Sequence, residues 1–323
     1  MRLRTRMFLV AGVAGLAVSC KGFDASRLGG AALERTGLAS KRAEENCKKL
    51  EVDPTVEEEY AIGSAMAINW VQRGGGLLHG DGADALHRYL NIVGKNLAAQ
   101  SARPTLEWTF GVIDDTKSFN AVSAPGGYVF VTRKLLANLE NEGQLAGVLA
   151  HEISHVVLKH TIEKYNSSKV SLCKTAMITD ALVPGSGQLV AGGKDGHLDL
   201  DGDPALLGNA AESTLNYFDK GNNKEQEFKA DQMAIELMLS AGYDPEDYRR
   251  LIAKTTEDTV QPNHPSKTER VKKMVAFLDT LRAKKEDAFA GLSTEGVHSP
   301  PLKQPEYAII RPAPAGVAKD GAK

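Results

Sequence analysis

The segment from residue 141 to 160, NEGQLAGVLAHEISHVVLKH, constrains this chain more than any other. Its apolar residues recur at the three- and four-residue spacing of an amphipathic helix, which predicts a helix with one face in a hydrophobic core. An H-E-x-x-H motif occupies residues 151–155. Because residues four apart share a helix face, His151 and His155 can hold two corners of a tetrahedral zinc site. Glu152 can then reach a metal-bound water as a general base.

A catalytic zinc site needs a third protein ligand and keeps its fourth position for water. Metzincins supply that ligand as a His six residues after the second, with a Gly midway. Here those two positions hold Thr161 and Leu158, which excludes that class. His160, five residues after His155, is expected to face elsewhere on the helix. The alternative is a Glu from a later helix.

Residues 225–238 provide such a helix, because strong helix formers dominate them and apolar residues recur at helical spacing. Glu225 and Glu227 both lie near its start. Glu227 can ligate zinc, and Asp231, four residues further on, lies on the same face. Asp231 can accept the second N–H of a ligating His, which fixes the tautomer of that ring.

Four stretches together resemble the M48 family of metallopeptidases, which includes membrane-associated and periplasmic quality-control proteases. They occur in family order between about residues 55 and 280. They are Asn120-Ala121 with the run from Pro125 to Thr132, the segment from Leu149 to His155, Glu227-x-x-Ala230-Asp231 followed by residues 241–245, and His264-Pro265-Ser266 with Arg270. The resemblance implies an α+β fold, a mostly helical zincin-like domain whose small β-sheet edges the active-site cleft.

The resemblance also assigns roles to the metal-binding residues. It implies that His151, His155 and Glu227, rather than Glu225, bind one Zn²⁺ per chain, and that Glu152 is the catalytic base. Asp231 is then the partner behind a ligating His.

Three further assignments follow from the same resemblance. His264 is expected near the zinc, either as a donor to the tetrahedral oxyanion or as a plug ligand that keeps the enzyme latent. Arg270 is expected to orient the site or to pair with a carboxylate. The strand 128–132 is expected to edge the cleft and to pair with an extended substrate by β-augmentation. Its substrate-binding residues would be Gly127, Tyr128, Val129 and Phe130.

The N-terminus predicts export and a lipid anchor. Three Arg residues precede an apolar run, Phe8 to Val18, that is too short to span a membrane. The run ends Leu16-Ala17-Val18-Ser19-Cys20, which resembles a bacterial lipoprotein signal cleaved after residue 19 and lipidated on Cys20. The motif departs from the usual one at Ala17, where Leu is common, so an ordinary secretory peptide is the alternative. Lys21 favours the outer membrane by the enterobacterial sorting rule.

Composition narrows the remaining classes of function. No apolar stretch reaches about 18 residues, so no transmembrane helix is expected. Removal of residues 1–19 leaves 36 basic and 41 acidic residues, a net charge of −5, and no basic stripe that would indicate nucleic acid. Cys47 and Cys173 can pair in an oxidising periplasm, but their sequence separation leaves that pairing open.

The chain is predicted to have one large folded domain. Residues 20–50 form a tether, residues 51–284 the metallopeptidase domain, and residues 285–323 a disordered tail without helical repeats. Glycine-rich and acidic residues within 165–222 predict a lid insert over the cleft. Helices are expected at 56–71, 83–99 and 267–281, with a further helix ending at 254; strands are expected at 106–113 and 128–132.

These features predict a zinc-dependent metalloendopeptidase at the periplasmic face of a bacterial envelope. Its substrates, by resemblance, are misfolded or misassembled envelope proteins. One alternative is a latent protease that acts mainly as an outer-membrane assembly chaperone, its zinc covered by the lid or His264. Another is a structural zinc module with four protein ligands. The sequence leaves the oligomeric state open.

Overall fold

The computed structural model describes residues 41, 44–182, 221–255, 265–283 and 297–300. Some predicted features lie outside these residues and stay predictions: the signal peptide (1–19), Cys20, most of the tether (21–40 and 42–43), the greater part of the insert (183–220), His264 and the tail except residues 297–300. No helix in the described ranges is long and apolar enough to cross a membrane.

Helices make up most of the described chain and confirm the predicted mostly helical α+β class. They are α1 (Val56–Arg73), α2 (Ala83–Ala98), α3 (Arg133–Leu136), α4 (Glu142–Val157), α5 (His160–Leu182), α6 (Lys224–Ser240), α7 (Pro245–Lys254) and α8 (Lys267–Ala283). The predicted helices form with ends shifted by a few residues. The predicted insert therefore begins within α5, since residues 165–182 are helical.

Capping side chains fix where the site-bearing helices begin. Asn141 accepts a hydrogen bond from the Gln144 N–H at the start of α4. Asn223 and Gln226 form a reciprocal capping box at the start of α6. Asp244 caps α7, with Pro245 in its first position. These local signals hold Glu227, in the first turn of α6, at a defined place along the helix.

Three strands form one small sheet, in the order β1 (Thr109–Ile113), β3 (Tyr128–Thr132), β2 (Ala121–Ala124). β1 runs parallel to β3, and β2 runs antiparallel to it. A tight turn of Pro125, Gly126 and Gly127 joins β2 to β3 and packs against α1. Both glycines have positive φ, and a side chain on Gly126 would overlap Tyr60 of α1.

The prediction that strand 128–132 edges the cleft and pairs with substrate is wrong. β3 is the central strand, and its backbone is already paired with β1 on one side and β2 on the other. A strand with two partners has no free row of backbone donors and acceptors for a third. Tyr128, Val129 and Phe130 therefore lie inside the sheet, and Gly127 lies in the turn before it. The strand beside the cleft is β2.

Helix α4 lies at the centre of the domain. Every residue from Gly143 to Val156 is buried, and the helix packs against α2, α6, α7 and β2. Gly147 lets α7 approach closely, because a methyl group at that position would overlap the Tyr248 side chain. A helix enclosed in this way holds its side chains in fixed positions, which is what a metal site requires.

A disulfide joins the N-terminal stretch to α5. Cys47, just before a short 3-10 turn, bonds Cys173 with a Cα–Cα distance of 5.6 Å. The pairing that the sequence leaves open is therefore present. Because α5 starts beside the H-E-x-x-H helix and runs to the disulfide, the bond ties the predicted tether to the catalytic half of the domain.

Candidate metal and catalytic site

A cleft of about 760 Å³ lies over the C-terminal half of α4. Residues of β2 line one wall and residues of α6 and α7 line another. His151, Glu152 and His155 face into it from α4, and Glu227 faces it from α6. All four side chains are buried, which is unusual for charged and polar groups unless they have partners. The structure thus brings together the four residues that the sequence analysis assigns to the metal and the base.

The three predicted ligands present their ligating atoms to one point. The Nε2 atoms of His151 and His155 are 3.1 Å apart. Glu227 places Oε2 3.4 Å from the first of these atoms and Oε1 3.4 Å from the second. Ligands bound at 2.0–2.1 Å in a tetrahedron are about 3.3 Å apart, so the spacing fits zinc. Among the described residues, this trio forms the one metal-competent group of three or more His, Cys, Asp or Glu side chains.

Behind His151 lies a charged network. Its Nδ1 atom is 3.1 Å from Asp231 Oδ1, although the ring N–H is not aimed straight at that oxygen. Arg270 donates two hydrogen bonds to the Asp231 carboxylate, at 2.9 and 2.6 Å. Tyr248 donates to Asp231 at 3.1 Å and accepts from Arg270 at 2.8 Å. Arg270 therefore pairs with a carboxylate, which is one of the two roles expected of it.

Tyr248 is a member of this network that the sequence analysis misses. It lies on α7 among apolar residues and is fully enclosed against α4, so its sequence context indicates a core residue. The only signal for its role is its hydroxyl, because a buried Tyr O–H usually finds a partner.

The network controls the charge of the cluster. Burial opposes protonation of His151, but its contacts with Asp231 and Glu227 outweigh burial and raise the pKa of His151 to about 9. Burial would raise the pKa of the Asp231 carboxyl, yet the Arg270 guanidinium holds that pKa below its usual range. The pKa of Glu227 is likewise held well below its ordinary value, against the effect of burial, by the two ligand histidines.

Behind His155 lies a neutral contact. Its Nδ1 atom is 2.8 Å from Nδ1 of His160, and both rings are buried. Burial lowers the pKa of His155 well below its usual value and lowers the pKa of His160 to about 4. The expectation that His160 faces elsewhere on the helix is wrong, because α4 ends at Val157 and the chain turns back at Lys159.

Asn222 is a further residue that the sequence analysis misses. Its amide nitrogen donates to Glu227 Oε1 at 2.9 Å and lies 3.3 Å from both ring nitrogens of His155. The residue directly precedes the capping residue of α6, so the turn into that helix also covers part of the ligand cluster.

Glu152 is held from the opposite wall of the cleft. Ser123 of β2 donates a hydrogen bond to Glu152 Oε2 at 2.7 Å, and both side chains are buried. Burial raises the pKa of the Glu152 carboxyl, while the nearby His151 and the Ser123 hydroxyl act in the opposite direction. Glu152 therefore has one oxygen fixed by β2 and lies beside the possible metal site. The sequence analysis misses Ser123, whose only signal is a single hydroxyl in an apolar strand.

The outer edge of β2 faces the cleft. The Thr132 N–H donates to the Asn120 carbonyl, which makes residues 120 and 132 a hydrogen-bonded pair. In an antiparallel ladder such pairs alternate, so Ala121 and Ser123 turn their backbone N–H and C=O groups away from β3. No other strand in the described part of the chain pairs with that edge. An extended peptide could therefore add to the sheet at β2.

Comparison with known proteins gives one family. The sequence profile of peptidase family M48 matches residues 84–277. Over 206 residues, 61% of this chain, the sequence is 29% identical to the mitochondrial metalloendopeptidase OMA1 of Schizosaccharomyces pombe, and the match covers 55% of that protein.

Bacterial relatives match a similar share of the chain. The beta-barrel assembly-enhancing protease of Yersinia pestis is 29% identical over 181 residues, which is 56% of this chain and 35% of that protein. The Escherichia coli protein of the same name is 27% identical over 180 residues, 56% of this chain and 34% of that protein. The chain thus matches between a third and about half of the length of these relatives.

Proposed function

The chain belongs to peptidase family M48, and from that premise we propose that it is a zinc-dependent metalloendopeptidase. His151, His155 and Glu227 would hold one Zn²⁺ per chain. The observation that carries the proposal is the trio of buried ligand atoms, 3.1–3.4 Å apart, on the floor of an open cleft. A zinc ion there would lower the pKa of a water molecule and polarise a peptide carbonyl.

Glu152 is the proposed general base and acid. Its carboxylate lies in the cleft next to His151, and its raised pKa suits a group that must both accept and donate a proton near neutral pH. It would take the proton of the attacking water and deliver it to the leaving amine. Ser123 holds one oxygen of Glu152 and leaves the other for these transfers.

We assign the substrate to the outer edge of β2. The outward N–H and C=O groups of Ala121 and Ser123 would bind the substrate backbone as an added antiparallel or parallel strand. This position places the bound peptide across the face of α4 that carries Glu152, because Ser123 itself touches that side chain.

Several finer assignments rest on sequence and relatives. His264 lies outside the described residues and is proposed as a donor to the tetrahedral oxyanion. The signal-like N-terminus and Cys20 support a lipid anchor at the periplasmic face of a bacterial outer membrane. The beta-barrel assembly-enhancing proteases among the relatives support misfolded or misassembled envelope proteins as substrates.

The test of catalysis is cleavage of casein or an unfolded outer-membrane protein, with zinc, by the wild type and by Glu152→Gln. We expect the substitution to lower the rate by about 10²- to 10⁴-fold, the usual contribution of a general base, and to leave zinc bound at one per chain. Glu225→Gln is the matched control, since Glu225 is an exposed residue of α6. Equal rates in the wild type and Glu152→Gln, with zinc bound in both, would overturn the proposal.

Two proline variants test the substrate strand. Ala121→Pro removes an N–H that points away from β3, so we expect it to raise KM and to keep the sheet. Val122→Pro removes an N–H that pairs with Phe130, so we expect it to destabilise the fold. An unchanged KM in a folded Ala121→Pro protein would place the substrate elsewhere.

A latent protease is the second candidate, and Asn222 is the observation that favours it. Its amide covers Glu227 and His155 from the end of the predicted insert. Asn222→Ala and His264→Ala separate the candidates. An increase in cleavage in either variant would indicate a cover over the site, whereas a decrease in His264→Ala with Asn222→Ala unchanged fits an oxyanion donor in an open enzyme.

A further inference from the structure

His155 has two ring nitrogens with different surroundings. Its Nε2 atom faces the ligand cluster, 3.1 Å from Nε2 of His151 and 3.4 Å from Glu227 Oε1. Its Nδ1 atom faces away from the cluster and lies 2.8 Å from Nδ1 of His160. This pair lies outside the ligand cluster, so no ion would bind between the two nitrogens. A contact of 2.8 Å there requires that one nitrogen carries a proton and the other a lone pair, because two lone pairs or two N–H groups would repel.

The position of His160 depends on a break between two helices. On one continuous helix, a residue five places after His155 would lie well round the cylinder and could not touch it. Lys159 adopts a left-handed conformation, with φ of 58°, which ends α4 and lets α5 start at His160. It is the one non-glycine residue with positive φ in the described ranges. The two imidazoles thereby meet edge to face, with ring centres 5.0 Å apart.

We propose that His160 is a positioning residue for the metal site: its Nδ1 accepts the Nδ1–H of His155 and so fixes His155 in the tautomer whose Nε2 lone pair faces the ion. The inference rests on the metal-binding part of the proposed function and not on peptidase activity. His160 is 3% exposed, so water has little access to the contact between the two rings. A neutral ring supplies one lone pair, which is what this contact needs.

The acceptor role can be separated from the shape of the ring by two substitutions. His160→Phe keeps a ring of similar size and removes the lone pair. His160→Asn keeps an acceptor, because the amide oxygen occupies about the place of Nδ1. We expect His160→Phe to weaken zinc binding by about 10- to 100-fold, the usual cost of losing a partner behind a ligand. We expect His160→Asn to recover most of that loss.

The experiment measures zinc affinity of the full chain by competition with a chromophoric chelator, with the melting temperature of each metal-free variant as a check on folding. His87→Phe is the matched control, since His87 is a half-buried histidine on α2 outside the cleft. Its affinity should equal that of the wild type. If the wild type itself does not bind zinc, the proposed function fails as well. If the wild type binds and His160→Phe binds equally well, only the role of His160 is overturned.

A second measurement keeps the inference testable if His160→Phe does not fold. In the zinc-loaded wild type with ¹⁵N-labelled histidines, we expect His155 to carry its proton on Nδ1 and to show a nitrogen–nitrogen coupling to His160 across the hydrogen bond. A proton on Nε2 of His155, or weakening in His160→Asn equal to that in a folded His160→Phe, would overturn it.

Discussion

Behind His151 the protein places an anion, whereas behind His155 it places a neutral ring. Asp231, held by Arg270 and Tyr248, lies 3.1 Å from the outer nitrogen of His151. The outer nitrogen of His155 is 2.8 Å from His160. The first support is assembled from α6, α7 and α8, and the second comes from the residue that starts α5. The two histidines proposed as ligands lie on one helix, but one has a carboxylate as its outer partner and the other has an imidazole.

The difference separates two tasks. An anion behind a ligand raises the basicity of the ring, and its own burial must be offset by a cation. Removal of either charge would therefore leave the other buried without its partner. A neutral acceptor fixes a tautomer without adding charge to the core. Glu227 already supplies one negative charge to the cluster, and Asp231 supplies another. A neutral partner behind His155 adds no third charge, which limits the negative charge that is buried there.

The largest expected effect comes from breaking the anionic side. Asp231→Ala removes two hydrogen bonds from Arg270, which is 13% exposed, and leaves that guanidinium without its main partner. We expect a loss of about 3–5 kcal/mol in the free energy of unfolding, the usual cost of breaking a buried pair. Removing the neutral partner of His155 should cost about 1–3 kcal/mol, the penalty for one unsatisfied polar group. Urea denaturation of metal-free Asp231→Ala and His160→Phe measures both.

A double variant checks the cause of that loss. Asp231→Ala with Arg270→Leu removes both charges, so it should be less destabilised than the sum of the two single variants predicts. If the loss in the free energy of unfolding in the double variant equals the sum of the losses in the two single variants, the two charges do not stabilise each other. The proposed difference between the partners of His151 and His155 would then be wrong.

The second prediction is that stability and zinc affinity depend on pH, and that protonation of His151 rather than of His155 causes this dependence. The contacts with Asp231 and Glu227 raise the pKa of His151 to about 9, above its unfolded value of about 6.5. The protonated ring therefore stabilises the metal-free protein fully below about pH 6.5, and that contribution is lost as the pH rises through 9. The same proton competes with the ion, so zinc affinity should rise by about tenfold per pH unit until about pH 9.

The measurement is the zinc-induced rise in melting temperature at a buffered free-zinc concentration from pH 6.5 to 9. The rise should grow with pH in the wild type. In Asp231→Asn the pKa of His151 should be lower, so the dependence should flatten at the alkaline end of that range. A wild-type dependence that is already flat from pH 7 upward would show that His151 is not the proton-binding ligand.

The sequence predicts local features of the site but not the contacts between distant elements. Local signals are readable: the apolar period of α4, and the four-residue spacings of His151 with His155 and of Glu227 with Asp231. The packing of α4 with α6 and α8 follows only from the resemblance to a family, because no local sequence pattern shows which distant helices pack together.

The misses have physical reasons. His160 depends on a left-handed Lys159, and Lys is not a residue type that signals this conformation. The central place of β3 depends on a parallel partner, β1, whose pairing the pattern of either strand does not reveal. The roles of Ser123, Asn222 and Tyr248 depend on their positions in the folded chain, so their residue types alone do not predict these roles.

The smallest expected effect is on Glu152, the proposed base. Ser123→Ala removes the hydroxyl that donates to Glu152 and lowers its pKa, so the pKa of Glu152 should rise further above its ordinary value. The acidic limb of the kcat/KM profile should then move to higher pH. The alkaline plateau should change by less than about tenfold, or about 1.4 kcal/mol in activation free energy, because the carboxylate itself remains.

Ser154→Ala is the control, because the Ser154 hydroxyl donates to the Ala150 carbonyl within α4 and not to Glu152. An unmoved acidic limb in Ser123→Ala would mean that the hydrogen bond from β2 does not act on the base during turnover. If the acidic limb of the kcat/KM profile moves in Ser123→Ala but not in His160→Phe, then β2 affects the pKa of Glu152 and His160 does not. His160 would then act on His155 alone.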